Sequence, residues 1–270
     1  MNLSRKLIIK PSSKISLANW DADETFGFKS KKEAKTAMKE NHTKLHELQS
    51  VLYAENKRSI LIILQGMDAS GKDGTIKHVM GPLNPQSCKV SSFKTPTEEE
   101  LSHDFLWRIH KVTPRNGEIM IFNRSHYEDV LIVRVHNLAD RKIWSLRYKQ
   151  INQFEEILTK NDTHIFKFYL HISKEEQLKR FNKRLEDSTK NWKARPEDFE
   201  ERKFWPKYVK AYEDALANCS TSFAPWFIIP ANKKWFRNFA VSEILTEQLS
   251  KLNMSYPTLS HEIKKLTNKA

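Results

Sequence analysis

The sequence predicts an α/β fold in which a parallel β-sheet is flanked by helices on both faces. Short apolar, β-branched runs alternate along the chain with segments of helical periodicity, which is the pattern of parallel strands joined by helices. A glycine-rich motif follows the first apolar run directly. The chain has 270 residues, 39% of them hydrophobic, so it is long and apolar enough to bury one large core.

The segment before the first predicted helix shows no periodicity. Residues 1–30 are rich in Lys, Ser and Asp, and we expect a loosely structured N-terminal arm. Ser30 and Glu33 then form the pattern of a capping box, in which a hydroxyl and a carboxylate bind free amides at a helix start. Apolar residues recur at helical spacing as far as Leu52. We expect one domain over residues 31–255 and a basic tail over residues 256–270.

Strands and helices alternate in the rest of the domain. The predicted strands are residues 59–65, 88–93, 118–123, 164–172 and 226–229. The first of them is continuously apolar, which is typical of a strand covered on both faces. Three helices are predicted between the strands: one from Thr97 with Leu101 and Ile109 on one face, one from Asp140 and one from Ser173. No linker or internal repeat divides the chain.

Composition limits the partners and the location. The formal net charge of +13 indicates a polyanionic partner, which is a nucleic acid, an anionic membrane or a phosphate-rich substrate. The two cysteines, Cys88 and Cys219, are too few for a disulfide framework or a four-cysteine zinc site. The apolar run near the start is too short for a signal peptide, and no stretch has the length of a membrane helix. We therefore expect a soluble, cytoplasmic protein.

A phosphate-binding loop is predicted after the first strand. Residues 66–72 read G-x-x-x-x-G-K and are followed by a helical pattern, which is the strand–loop–helix context that this motif requires. The glycines allow the backbone to curl so that several amide groups face one anion, and the lysine neutralises the phosphates. The residues expected to contact phosphate are Gly66, Ala69, Ser70, Gly71, Lys72, Asp73, Gly74 and Thr75.

The motif departs from its usual form at one position. Asp73 stands after the lysine, where a Ser or Thr hydroxyl normally binds magnesium. Asp68, inside the loop, is the nearest hard oxygen ligand for magnesium, or for manganese as an alternative. Thr75 is a second candidate, but its offset differs from that of the usual ligand. We expect Asp73 to point away from the phosphates and to bond amides at the helix start.

A second polar motif follows the third strand. Residues 122–129 read Phe-Asn-Arg-Ser-His-Tyr-Glu-Asp, at the strand end where ligands bind in doubly wound sheets. Arg124 is predicted to bind a phosphoryl oxygen, and either Asp129 or Glu128 to complete the metal site with Asp68. His126 is predicted to be structural, because phosphoryl transfer depends mainly on positioning and charge neutralisation.

A basic segment lies between residues 174 and 210. Arg180 and Arg184 are four residues apart and share one helix face, which favours a helical lid at about residues 180–210 that closes over a polyanion. Acidic residues accompany the cations throughout the segment. A solvated helix with many salt bridges is therefore the alternative.

With these motifs the sequence resembles the family-2 polyphosphate kinases. The resemblance rests on residues 66–74, on residues 122–129, on the helix around Arg180 and Arg184, and on Ala-Pro-Trp at residues 224–226. It implies a P-loop NTPase-like fold of the thymidylate-kinase type with a helical lid, and a homo-oligomer, either a tetramer or a dimer. It also implies catalytic roles for Asp68, Lys72, Arg124 and Asp129, with magnesium on the two aspartates and phosphates on Lys72, Arg124, Arg180 and Arg184.

The form of the second motif is similar to that of the branch called class III. That branch phosphorylates both nucleoside monophosphates and diphosphates, which implies AMP, ADP, GMP and GDP as partners of inorganic polyphosphate. Asn123 and Glu128 are expected on the nucleotide side. The sequence departs from the family at residues 230–234, where acidic residues usually precede the lysine.

Two other functions remain open. An ATP-dependent nucleoside or nucleotide kinase of the same fold differs only in its phosphoryl donor. A basic nucleic-acid-binding protein would also explain the charge, but the sequence shows no helix-turn-helix, zinc or RNA-recognition pattern, so we expect no specific nucleic-acid partner and no membrane partner.

Overall fold

The computed structural model describes residues 2–193 and 195–258, and within them it contains one parallel sheet. The strands are β1 (Ser59–Gln65), β2 (Cys88–Ser92), β3 (Ile119–Asn123), β4 (Thr163–His171) and β5 (Trp226–Pro230). Their order across the sheet is β2-β3-β1-β4-β5. The predicted α/β class is confirmed, and each predicted strand is present with small changes at its ends.

Strand β1 lies at the centre of the sheet because the five residues between its ends, 60–64, are all apolar. It pairs in parallel with β3 on one side and with β4 on the other, and all its residues are buried. Ile60, Ile62 and Leu64 face one hydrophobic core, whereas Leu61 and Ile63 face the other. The period of two in a strand therefore divides one apolar run between two helical layers.

Helices cover both faces of the sheet. The α-helices are α1 (Leu3–Leu7), α2 (Lys31–Glu55), α3 (Lys72–Thr75), α4 (Glu98–Leu101), α5 (Trp107–His110), α6 (Ile132–Val135), α7 (Arg141–Lys160), α8 (Lys174–Glu186), α9 (Pro196–Glu201), α10 (Trp205–Cys219) and α11 (Lys234–Ser250). Helices α2 and α11 share one core with the even residues of β1, and α7 and α10 share the other core. Helix α3 continues as a π-helical turn over Ile76–Met80.

Side-chain caps are present at the helix starts predicted at Ser30, Thr97 and Ser173, whereas Asp140 makes no side-chain cap bond. The Ser30 hydroxyl accepts from the Glu33 amide at 3.2 Å, and the Glu33 carboxylate accepts from Lys29 N at 3.1 Å. At α4 the capping box between Thr97 and Glu100 is complete. These contacts satisfy amides that have no partner inside the helix.

The helix predicted from Thr97 through Ile109 is wrong as a single element. The structure has two short helices there, α4 and α5, with a turn between them. In that turn the Asp104 carboxylate accepts from Leu106 N at 2.9 Å, and Leu101 remains largely exposed. A short polar side chain that bonds the nearby backbone offers an alternative to the helix, and here it ends the first one.

The expectation of a loosely structured N-terminal arm is also wrong. Helix α1 buries Leu3 and Leu7 almost completely in the core that contains α2 and α11. Ile9 N then donates to Trp226 O at 2.8 Å, and Ile8 forms an antiparallel bridge with Phe227. The segment therefore covers the free edge of β5, which would otherwise leave unpaired backbone groups.

Two further expectations concern the chain ends and membranes. Of the expected basic tail, residues 259–270 lie outside the described residues. Within the described part of the chain, no helix has both the length and the apolar character needed to cross a membrane.

Candidate active site

The predicted strand–loop–helix arrangement of the phosphate loop is confirmed. Strand β1 ends at Gln65, the loop follows, and α3 begins at Lys72 with Gly71 as its N-cap. Gly71 has φ +105°, a conformation that favours glycine. At Gly66 a Cβ atom would come within 2.7 Å of the Leu170 carbonyl oxygen, so the loop lies against the end of β4 with no room for a side chain.

Lys72 lies across the loop rather than in solvent. Its Nζ donates to the carbonyl oxygen of Gly66 at 2.7 Å and to that of Met67 at 3.3 Å. Burial, together with the charge of Arg124, lowers the pKa of Lys72 to about 8. The lysine is thus held as a desolvated cation whose bonds to neutral carbonyls an anion can replace.

The other polar side chains of the loop point inward. The Thr75 hydroxyl donates to Gly71 O at 3.2 Å, one turn earlier. Ser70 is fully buried, and its hydroxyl oxygen is without a hydrogen-bond partner among the described residues. A buried hydroxyl with a free lone pair and a free proton is unfavourable unless something else bonds it, as a bound phosphate would.

Asp73 is turned towards the neighbouring strand. Its carboxylate accepts from Asn123 Nδ2 at 2.9 Å, and Asn123 is the last residue of β3. That Asp73 points away from the phosphates and bonds amides at the helix start stays a prediction beside this side-chain contact. The contact ties the start of α3 to the second motif.

Arg124 joins the two predicted motifs at the mouth of the loop. It has φ +63° and bonds Asp68 Oδ1 at 2.6 Å, and it lies 3.6 Å from a Glu128 carboxylate oxygen. Gln65 Nε2 also donates to Glu128, at 3.2 Å. The structure therefore brings Asp68, Arg124 and Glu128 together, as the sequence predicts for a phosphate and metal site.

Asp129 lies apart from this group. Its carboxylate accepts from Arg147 Nη1 on α7 at 3.0 Å, and burial raises its pKa to about 6. Asp129 is not among the described residues that line the cavity at the loop, whereas Asp68, Arg124 and Glu128 are. The pairing of Asp129 with Asp68 around one metal is thus not seen in this arrangement, and Glu128, the alternative, is the neighbour that faces the cavity.

The residues at the cavity fit a magnesium ion that takes most of its ligands from substrate. Magnesium is usually bound through one or two carboxylates plus water and phosphate oxygens. Asp68 and Glu128 supply such carboxylates beside one cavity. Among the described residues there is no group of three or more ligating side chains that would hold a metal ion without substrate.

A buried network anchors the turn that contains Glu128 and Asp129. The 3-10 turn His126–Val130 rests on Glu155 of α7, whose Oε1 accepts from the Tyr127 hydroxyl at 2.8 Å and lies 3.2 Å from His126 Nε2. Lys167 of β4 donates to the other oxygen of Glu155 at 2.5 Å, and both side chains are fully buried. Burial lowers the pKa of His126, which agrees with the prediction of a structural, neutral histidine.

Arg180 occupies a position that differs from the prediction. Its five N–H groups bond Glu176, the carbonyl oxygens of Ala69 and Ser70, and those of Ala231 and Asn232, at 2.6–3.0 Å. Arginine has five N–H donors, so none remains for an anion. In this arrangement Arg180 supports the loop from behind, and its contact with polyphosphate stays a prediction.

The other residues of the predicted lid differ in position: Arg202 lines the cavity, whereas Arg184 is not among the described residues that line it. Arg184 lies 3.7 Å from Asp198 of α9. Arg202 donates to Gln177 Oε1 at 2.7 Å, and Gln177 donates to the carbonyl oxygen of Asp68 at 2.9 Å. Helices α8 to α10 confirm that the region is helical, while its opening and closing stay a prediction.

Sequence reasoning missed several residues of this site. Gln177 and Tyr212 line the cavity and lie outside the lid predicted at residues 180–210. The wall also contains residues within that predicted range, which are Asp198, Glu201, Arg202, Trp205 and Tyr208. Arg237 of α11, which bonds Ser70 O at 3.0 Å, was missed as well. Its signal was available, because it is a cation within an apolar helical run.

Comparison with known proteins agrees with this geometry. The family model described as Polyphosphate kinase 2 (PPK2) matches residues 28–257. An AMP/ADP-polyphosphate phosphotransferase of Meiothermus ruber is 48% identical over 254 residues, which cover 94% of this chain and 95% of the relative. An ADP-polyphosphate phosphotransferase of Rhodopseudomonas palustris is 40% identical over 94% of this chain and 92% of its own length.

A solved structure supports the same assignment. The crystal structure of polyphosphate kinase 2 from Arthrobacter aurescens TC1 superposes with a TM-score of 0.94 at 41% identity, covering 100% of this chain and 98% of that one. The range that the family model matches contains both motifs that form the cavity. The chain belongs to the polyphosphate kinase 2 family.

Proposed function

We propose that this protein transfers phosphoryl groups between inorganic polyphosphate and nucleotides, with AMP and ADP as acceptors and magnesium as cofactor. One observation supports it most strongly. The phosphate loop, Arg124 and Asp68 converge on one cavity, which combines cations for a chain of phosphates with a carboxylate for a metal. The names of the similar proteins supply the donor and acceptors.

The reaction needs positioning and charge neutralisation more than acid–base chemistry. A terminal phosphate oxygen of the nucleotide attacks the terminal phosphorus of polyphosphate, the bridging P–O bond to the chain breaks, and the shortened chain leaves. Lys72 and Arg124 neutralise the transferred group, and the loop amides hold it in line. Asp68 would hold magnesium, which would offset the negative charge that develops on the phosphates.

The decisive assay supplies the purified protein with AMP, ADP, GMP or GDP and magnesium, and offers polyphosphate or ATP as the only donor. We expect polyphosphate to support formation of both diphosphates and triphosphates. The reaction of GMP tests the alternative of an ATP-dependent kinase, because such an enzyme would form GDP from ATP and no product from polyphosphate. If ATP supports transfer and polyphosphate does not, the proposal is contradicted.

We also propose that the chain works as a homo-oligomer, either a dimer or a tetramer, as the resemblance implies. Helix α7 exposes Ile143, Leu146 and Ile157, each at least half exposed. Light scattering on the purified protein measures the number of chains, and a monomer at working concentration would contradict this part.

A further inference from the structure

Two arginines hold the phosphate loop from behind, and they differ in how their charge is balanced. Arg180 pairs with the Glu176 carboxylate at 2.8 Å. Arg237 donates to Ser70 O at 3.0 Å and twice to Asn238 Oδ1, at 3.1 and 2.7 Å, and these acceptors are neutral. Arg237 is only 2% exposed, and among the described residues it forms no ion pair.

The guanidinium of Arg237 lies directly against the loop. A Cβ atom on Gly71 would come within 1.7 Å of its Nη1, and one on Gly74 within 3.0 Å of its Nη2. Two glycines of the motif therefore leave room for this cation as well as for the bend of the backbone. Burial, and then the charge of Arg180, lowers the pKa of Arg237 to about 9, which shows how unfavourable its charge is in the empty protein.

The contact also orients an amide. The Ser70 carbonyl oxygen accepts from both Arg180 and Arg237, each at 3.0 Å. The described residues contain no cis peptide bond, and in a trans peptide the carbonyl and the following N–H point in opposite directions. The N–H of Gly71 therefore points away from the two guanidinium groups, towards the side of the loop on which an anion binds.

We propose that Arg237 is a positioning residue of the phosphate loop. Its positive charge lies behind the loop without a counter-charge, and polyphosphate that binds in front of the loop compensates it. The inference rests on the proposed function for the identity of the anion. A buried cation without a counter-charge destabilises a folded protein, and the same cation strengthens binding of the anion that supplies the charge. Arg180, already paired with Glu176, lacks this effect.

The test compares Arg237→Met, Arg237→Lys and the wild type, with Lys39→Met, which removes an exposed cation on α2, as the matched control. Calorimetry gives the Kd for tripolyphosphate without nucleotide, and thermal unfolding gives the midpoint of the empty protein. We expect Arg237→Met to raise the Kd at least about tenfold while the midpoint stays or rises. Arg237→Lys should stay within about threefold of the wild type, because it keeps the charge.

Each other outcome overturns the inference. Binding to Arg237→Met that equals the wild type shows that the charge does not act on the anion. Equal losses in both variants show that charge is not the property that matters, and a lower midpoint for the empty Arg237→Met protein shows that the arginine only stabilises the fold. If Arg237→Met does not fold, Arg237→Gln is measured by the same criteria.

The binding measurement keeps this inference separate from the proposed function. A wild type that binds tripolyphosphate but transfers no phosphoryl group to nucleotides contradicts the proposed function alone. A wild type that does not bind tripolyphosphate overturns the inference about Arg237.

Discussion

At the level of single residues, the site contains a cation that is both buried and close to another cation, which disfavours its charged form. Lys72 is buried beside Arg124, and its proton is therefore held less tightly than in water. In the empty protein the protonated lysine lowers the stability of the fold below a pH of about 8, and the free energy of unfolding rises as the pH goes from about 8 towards the ordinary lysine value of 10.5. Bound phosphates reverse this effect, because they favour the charged form.

The first prediction concerns the pH dependence of transfer. We expect kcat/KM for polyphosphate to fall as the pH rises through about 8, because the free enzyme loses the Lys72 charge there. The value of kcat at saturating polyphosphate should fall only at higher pH, since bound phosphate raises the lysine pKa. Initial rates over this pH range measure kcat and kcat/KM. A kcat/KM that stays constant up to pH 10 would contradict the role of Lys72.

The variant Lys72→Ala tests the same charge directly. It should still fold, and its rate of transfer should fall on the order of 10²–10³-fold.

The second prediction tests the metal ligands. Turnover against magnesium concentration is measured for Asp68→Asn, Asp129→Asn and Asp73→Asn. We expect Asp68→Asn to need far more magnesium or to fail, because Asp68 is the loop carboxylate at the cavity. Asp73→Asn should lose stability more than metal dependence, since Asp73 bonds Asn123.

Asp129→Asn decides between two interpretations of its carboxylate. A large shift in the magnesium requirement supports the sequence-based prediction that Asp129 binds metal. A normal requirement with lower stability supports a structural pair with Arg147 and leaves Glu128 as the second ligand. The largest shift in Asp73→Asn would mean that the metal site is assigned to the wrong residues.

The third prediction separates two arginines that the sequence treats alike. Arg180→Ala should lower the free energy of unfolding by about 3–5 kcal/mol, because it leaves the half-buried Glu176 carboxylate and the carbonyl oxygens of Ala69, Ala231 and Asn232 without this donor. Arg184→Ala should leave stability nearly unchanged and raise the KM for polyphosphate, since Arg184 lies at the lid surface beside Asp198. Chemical denaturation and steady-state kinetics on both variants check this, and equal stability of the two would contradict it.

At the level of elements, the turn His126–Val130 depends on charges beneath it. Lys167 on β4 and Glu155 on α7 form a fully buried pair, and Tyr127 and His126 bind to it. The pair therefore fixes the turn that presents Glu128 to the cavity. Its stability contribution requires the Glu155 carboxylate, whose pKa is low because Lys167 outweighs the opposing effect of burial.

The fourth prediction is the effect of removing that charge. Glu155→Gln leaves Lys167 buried without a counter-charge, and we expect a loss of about 3–5 kcal/mol in the free energy of unfolding. Transfer should also fall, because the turn shifts. Glu156→Gln is the matched control: Glu156 is the adjacent residue, exposed and paired only with Lys160, so it should change neither stability nor rate. Similar stability of the two variants would show that the buried pair is not an anchor.

The sheet was predictable from the sequence, whereas the contacts between elements were not. Residues 60–64 are all Ile or Leu, and such a short apolar run, rich in β-branched residues, has few alternatives to a central strand. Helices α10 and α11 were not identified, although α11 carries the Arg237 that supports the loop. The direction in which Arg180 points depends on the carbonyls of Ala231 and Asn232, which lie far along the chain.

Within the second motif, the sequence did not predict which of the two adjacent acidic residues faces the cavity. Glu128 and Asp129 are neighbours in a 3-10 turn, where successive side chains diverge by about 120°. Only one of them can face the cavity, and the sequence left the choice open. The fold decides it, because Arg147 on α7 binds Asp129 on the other side of the turn.

At the level of the whole molecule, the excess of positive charge distinguishes the chain from most proteins of its size. It has 46 Lys and Arg residues against 33 Asp and Glu. The cations that form the loop and its support are mostly paired or buried, so most of the excess lies on the surface. Surface charge acts over about one Debye length and is screened by salt, whereas buried charge is screened much less.

The last prediction follows from this difference between surface and buried charge. A long polyphosphate chain extends beyond the loop and meets exposed cations, whereas tripolyphosphate interacts mainly with the charges at the loop, which are the buried Lys72 and Arg237 and the half-buried Arg124. We therefore expect the KM for long-chain polyphosphate to rise at least several-fold as sodium chloride is raised, and the KM for tripolyphosphate to rise less. Steady-state kinetics with both donors at a fixed ADP concentration measure the two slopes. Equal slopes would mean that the surface charge does not contact the chain. RNA is a polyanion without a transferable terminal phosphoryl group. It should therefore compete with the long chain at low salt and lose this effect at high salt, which separates charge attraction from specific recognition.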